Sequence, residues 1–147
     1  MADTVSSILQ HKGNHVWSVS PDESVFQAIS VMADKGIGAL VVVAGETLVG
    51  IISERDYARK VVLHGKSSKD TPVRDIMTNP VVSVSPDQTV DACMRLVTTR
   101  RIRHLPVVQG ERVVGVVSIG DLVQRVISTQ GETIQYLQEY IGVKYSV

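Results

Sequence analysis

Apolar residues along this chain recur in two spacings that alternate twice. Val25, Ala28, Ile29 and Met32 follow the three-and-four rhythm of one helix face, and Val90, Cys93, Met94 and Val97 do so again. After each comes a pair of valine-rich runs, LVVVA and LVGIIS around Gly45-Glu46-Thr47, then LPVVQ and VVGVVS around Gly110-Glu111-Arg112. Such runs joined by a short Gly-containing turn predict a β-hairpin. Ahead of each helix pattern, Val16 to Val19 and Val81 to Val84 read as short strands ending at Ser-Pro-Asp, where the serine or aspartate is expected to cap the helix. A second helix is expected to start at Ser53 and at Ser118. Each unit is therefore strand, helix, strand, strand, helix.

The two units are copies. A shift of 65 positions lays residues 16–61 on 81–126 without a gap and gives 18 identities in 46, so the architecture is a duplication. The fold class expected is α+β, mixed helix and strand in tandem β-α-β-β-α units, each too small and too apolar on one side to stand alone. Repeat one is assigned to 5–64, a linker to 65–80, repeat two to 81–128 and a helical extension to 129–147. Val5 to Leu9 are expected to form a covering helix, and the linker a helical turn around Val73 to Met77. Helical spacing continues through Ile119 to Ile127 and Ile134 to Ile141, a surplus that marks a candidate subunit interface.

Charge and composition narrow the function. Lys plus Arg and Asp plus Glu balance at 15 each, so no long-range field draws in a polyanion, and aromatics at 4% provide no ladder for stacking single strands. Nucleic acid is not an expected partner. No apolar run approaches the roughly 20 residues that span a bilayer, and the N-terminal order is not that of a secretion signal. With the lone Cys93 inside an apolar helix pattern, the expectation is a cytoplasmic protein with no membrane partner and no disulfide framework. The four histidines lack metal-ligand spacing. No nucleophile elbow, P-loop or acid pair is present, so no catalytic residue is assigned and the chain is not expected to be an enzyme.

The candidate chemistry lies in GIISERD and GVVSIGD, residues 50–56 and 115–121. Ser53…Asp56 and Ser118…Asp121 can be helix caps, a serine with an acid three residues on. Two points favour more than capping. Aspartate is one methylene shorter than the usual Glu or Gln partner and is expected to fold back less readily. The motif also follows a buried strand twice, where a hydroxyl and free first-turn amides suit phosphate and a carboxylate suits a vicinal diol.

The duplicated unit closing on Gly-apolar-x-Ser-x-x-Asp, with Arg103-His104-Leu105-Pro106-Val107 in its second copy, resembles the CBS domain, the module found in cystathionine β-synthase, IMP dehydrogenase and the γ subunit of AMP-activated kinase. The resemblance spans residues 5 to about 128. It implies one Bateman module with pseudo-two-fold symmetry, two clefts for an adenine nucleotide or other adenosyl ligand (AMP, ADP, ATP, NAD or S-adenosylmethionine), a homodimer, and a regulatory role; regulation of a separate enzyme or transporter in trans is a further alternative. By position it implies a first cleft of Ser53, Asp56, Ser85, Ile102, Arg103 and His104. The second would hold Ser118, Asp121, Ser20, Ile37, Gly38 and Ala39. The first copy departs from the pattern, with Val41 where the second has Pro106 and Gly38-Ala39 where it has Arg103-His104.

That departure makes the clefts unequal. Arg101, Arg103 and His104, with Arg55, Arg59 and Lys60 nearby, are expected to favour a ligand with more phosphates in cleft one. Cleft two, with small neutral residues, is expected to accept AMP or adenosine. Trp17 is read either as stacking on adenine or, preferentially, as a cover for the core. Gly38 either leaves room for a ligand or ends the preceding helix. The other reading of the whole is an interaction module with constitutively filled clefts.

Overall fold

The computed structural model describes residues 3–13 and 15–128; the extension expected over 129–147 lies outside them. The order is helix α1 (Val5–Lys12), strand β1 (Ser18–Val19), helix α2 (Val25–Lys35), strands β2 (Ala39–Ala44) and β3 (Thr47–Ser53), then helix α3 (Glu54–Tyr57), which widens to a π-helix over Ala58–Val62. A 3-10 turn at Val73–Asp75 leads to helix α4 (Val90–Arg100), strands β4 (His104–Gln109) and β5 (Arg112–Ser118), and helix α5 over 119–128. The mixed helix-and-strand architecture is the one the repeats predicted.

Both hairpins form with matching register: Ala39 pairs Ser53 and His104 pairs Ser118, each with a shift after the fourth residue. Gly45 and Gly110 open the two turns at φ 66°, where a side chain would be strained. β1 adds to β2 in parallel through Val19 and Val42, whereas the second copy keeps only the equivalent bridge of Val84 to Val107. The expected strand over 81–84 is thus reduced to one residue.

Helix entry differs from expectation. α2 and α4 start five residues beyond the Ser-Pro-Asp serine, capped by Ser24 and Thr89, whose side chains accept from Gln27 N and Ala92 N. The Ser-Pro-Asp segment makes a turn instead, in which Ser20 Oγ accepts from Asp22 N at 3.2 Å. At that distance from the first helical residue, Ser20 has no orphan helix amide to satisfy.

Two cores result, and equivalent positions fill them. Val19, Val25, Ala28, Met32, Leu40, Val42 and Ile52 bury in one, and Val84, Val90, Cys93, Val97, Leu105, Val107 and Val117 in the other. Each large aliphatic side chain so buried contributes about 1.5–3 kcal/mol. Val5 and Ile8 of α1 complete the second core, and Val73 and Ile76 of the linker complete the first. Val5 N donates to Gln88 O at 2.9 Å and Val73 N to Glu23 O at 2.8 Å. The segment leading into each repeat therefore closes the core of the other, which binds the halves into one body.

Candidate functional site

β3 and β5 each end in a serine that caps the next helix, and both caps are reciprocal. Ser53 Oγ accepts from Asp56 N at 3.1 Å while Asp56 Oδ2 accepts from Ser53 N at 3.0 Å; in the second copy the distances are 3.1 Å and 2.8 Å. Aspartate does fold back, contrary to expectation, because the extended serine brings its own amide over the helix end. First-turn amides are also less available than expected. Glu54 N donates to Gly38 O at 3.0 Å and Ile119 N to Arg103 O at 2.8 Å, so at each helix start the amides of the serine, of the residue after it and of the aspartate are already engaged.

Beside the first cap lies a hollow of about 540 Å³ lined by Gly38, Ile51, Ser53, Glu54, Arg55, Asp56, Arg59, Lys60, Thr78, Arg101, Ile102, Arg103 and His104. It joins Ser53 and Asp56 to the 101–104 segment as the positional carry-over had it, and brings in all four expected cations Arg55, Arg59, Lys60 and Arg101. Ser85 is not in its wall. The Asp56 side chain is 13% exposed, and its Oδ1 takes Lys60 Nζ at 3.1 Å and Thr78 Oγ1 at 3.3 Å. Arg101 and Arg103 share this hollow although Arg101 precedes the strand, as the C-cap of α4.

The second cleft is built differently. A hollow of about 390 Å³ is lined by Lys12, Gly13, His15, Trp17, Gly36, Ile37, Gly38, Ala39, His104, Val116 and Ser118, and a smaller one of about 180 Å³ contains Lys12 and Asp121. Ile37, Gly38, Ala39 and Ser118 thus come together as expected. Ser20 lines neither hollow, and Asp121 opens only on the smaller one. Lys12 Nζ contacts Asp121 Oδ2 at 2.5 Å and Val116 O at 2.9 Å. Burial alone would raise the Asp121 carboxyl, but the bonds from Lys12 and Ser118 hold it below its ordinary value. The small, neutral cleft expected here is corrected by Lys12, His15 and Trp17.

Trp17 is 38% exposed, so it does not cover the core; it faces this hollow with His15 at 4.3 Å between ring centroids and Lys35 Nζ 4.4 Å above its ring. Gly36, in the left-handed conformation, ends α2. Gly38 gives room at the wall between the two clefts, with His104 and Glu54 both close to where a side chain would stand. His104 lines both hollows. Burial, then Lys12 and Arg103, lower its pKa below the ordinary 6.5, so it is held neutral.

The model of the CBS domain matches residues 5–63 and 73–128. The chain belongs to the CBS domain family. A CBS domain-containing protein of Arabidopsis thaliana, CBSX3, named as mitochondrial, is 43% identical over 97% of this chain and 73% of its own length. The crystal structure of the CBS domain NE2398 superposes with a TM-score of 0.82 at 48% identity, covering 86% of this chain and 99% of that one. The CBS domain pair of MJ0100, solved with 5-methylthioadenosine and S-adenosyl-L-methionine, gives a TM-score of 0.78 at 26% identity over 88% of this chain and 99% of that one.

Within this CBS pair, sequence reasoning missed Thr78, Glu54, Lys12 and His15 as cleft residues, and preferred for Trp17 the core over the cleft that it lines. Thr78 is fixed beside β3 by a bridge to Ile51 that forms only in the fold, and its repeat equivalent is Gly13, so comparison of the copies hides it. Lys12 and Asp121 are separated by 109 positions, and no local pattern joins them. Among the described residues no helix is long and apolar enough to cross a membrane.

Proposed function

We infer that this CBS pair is a regulatory module that binds an adenine nucleotide or related adenosyl ligand without transforming it. The observation that carries the reading is the first hollow, where Ser53 and Asp56 stand beside Arg55, Arg59, Lys60, Arg101 and Arg103. Its volume of about 540 Å³ is within the usual range for a small-molecule site. A carboxylate accepts both hydroxyls of a ribose, and the guanidinium groups fork onto phosphate oxygens. The adenosyl ligands of the MJ0100 pair support the same class here. Since the first-turn amides are largely engaged, phosphate recognition in cleft one falls to the arginines, which favours ADP and ATP over AMP.

Ile119, Val123 and Ile127 form an exposed apolar row along α5, and a second copy of the chain is the partner this reading assigns to it. Regulation of another protein in trans would then follow from any difference in affinity between the bound and free shapes. A thermal-shift series with AMP, ADP, ATP, NAD and S-adenosylmethionine tests the binding, because a ligand that prefers the native state raises its melting point by mass action. ATP is expected to give the largest rise. An unchanged melting point across the series at millimolar ligand would remove the reading.

A further inference from the structure

The 65-residue offset allows the two clefts to be compared position by position, and one of their differences lies beside the aspartate. In the first, Thr78 N donates to Ile51 O at 2.8 Å and Thr78 Oγ1 reaches Asp56 Oδ1 at 3.3 Å. The equivalent residue in the second cleft is Gly13, which has no hydroxyl. Its neighbour Lys12 supplies both contacts from a single ammonium, to Val116 O, the counterpart of Ile51 O, and to Asp121.

The replacement changes the shape of the cleft. Thr78 is short and stays in the wall, leaving Asp56, Arg59 and Lys60 continuous with Ser53 and the 101–104 segment. Lys12 reaches across, so the counterparts Asp121, Gln124 and Arg125 open on one hollow while Ser118 and Ile37 to Ala39 line another. The two volumes, about 390 and 180 Å³, are together close to the single 540 Å³ of cleft one. Among the described residues no carboxylate lines the larger part. In cleft one Asp56 also pairs with an ammonium, that of Lys60, but both line one continuous hollow; a ligand entering cleft two beside Trp17 meets Lys12 while Asp121 stands outside that hollow.

We propose that Lys12 is a specificity-determining bar across cleft two, which admits an adenosine ligand only when that ligand carries a phosphate able to draw the ammonium away from Asp121. This rests on the nucleotide reading above and deepens it. Adenosine would have to break the Lys12–Asp121 pair to reach the acid and offers nothing to the displaced cation. The sulfonium of S-adenosylmethionine would be repelled by it. AMP exchanges one anion for another, so its phosphate takes Lys12 while the ribose takes Asp121. The Lys12 side chain is 40% exposed, and α1 is anchored independently by Val5 and Ile8, so the bar can swing without unpacking the helix.

Trp17 makes this testable in the intact protein, because it is the chain's single tryptophan and it lines cleft two alone. Titrations of adenosine and of AMP followed by Trp17 fluorescence would be run on the wild type, Lys12→Met and Lys12→Arg, with calorimetry in parallel to count all binding. Lys12→Met is expected to tighten adenosine about tenfold, the scale of one freed charged hydrogen-bonding group, and to leave AMP unchanged or weaker. Lys12→Arg is expected to keep the wild-type order. A purely structural lysine would instead weaken both ligands together in Lys12→Met, and that result, or an unchanged adenosine affinity, overturns the proposal. Heat of binding with no response of Trp17 in any of the three proteins overturns it while leaving nucleotide binding in cleft one intact. Silence in both measurements removes both readings.

Discussion

Arg101 ends α4 at φ 55°, ψ 45°, the left-handed conformation in which Gly36, its equivalent in the first repeat, ends α2 at φ 65°. Helices favour glycine at this cap because a Cβ is strained there. The arginine has been placed at the costlier position in the copy whose segment lines cleft one. Arg101→Gly is therefore expected to stabilise the protein by about 1 kcal/mol, measured by urea denaturation. The same variant should bind ATP more weakly while changing AMP less, since one guanidinium leaves the hollow. Loss of stability in Arg101→Gly would show that the side chain supports the fold.

Gly50 and Gly115, the first residues of the repeated stretches, serve packing. A Cβ on Gly50 would stand 2.5 Å from Met77 Sδ, and one on Gly115 2.7 Å from Leu9 Cδ2. The bare strand faces are what let the leading segments lie across the opposite cores. Gly50→Ala and Gly115→Ala should each destabilise by about 1–3 kcal/mol through overpacking. Combining Gly50→Ala with Met77→Ala should cost less than the sum of the two, because they share one contact; additive losses in a double-mutant cycle would contradict this packing.

His104 gives a pH dependence with a definite sign. It is neutral in its half-buried place between the clefts, facing Lys12, Arg103, Asp121 and Glu54, and its folded-state pKa is below the unfolded 6.5. The unfolded chain then binds more protons in that window, so stability is full above pH 6.5 and falls as the pH drops toward the lower folded value. Thermal melts of the wild type should show this loss, and His104→Gln should flatten it. Asp121 acts separately. Its depressed carboxyl contributes stability above the ordinary 3.8 that disappears only as the pH falls further, through the folded value.

Much of this was readable from residue order. The offset of 65 gave the repeated units and the hairpins, because strand and helix periods are local and the copies corroborate one another; the pairing of Ser53 and Asp56 with the 101–104 segment was implied by the resemblance to the CBS domain. The swapped covering segments were not readable, since Val5, Ile8, Val73 and Ile76 satisfy any apolar surface equally well in sequence. Lys12 was invisible for a related reason: at the end of an exposed helix a lysine looks solvated, and only the path of α1 over β5 carries it to Asp121. The role of Trp17 turned on exposure, which a hydrophobic residue beside a strand does not reveal.

The proposed function has cleft one take a nucleotide by its sugar, through Asp56, and by its phosphates, through the surrounding cations. Asp56→Asn addresses this most directly, because asparagine can still accept from Ser53 N and keep the cap while losing one acceptor oxygen for the diol. Calorimetry with ATP on the wild type, Asp56→Asn and Asp121→Asn should show a loss of about tenfold or more for Asp56→Asn, on the order expected for a charged hydrogen bond, and little change for Asp121→Asn. Equal ATP affinity in all three folded proteins would contradict the account.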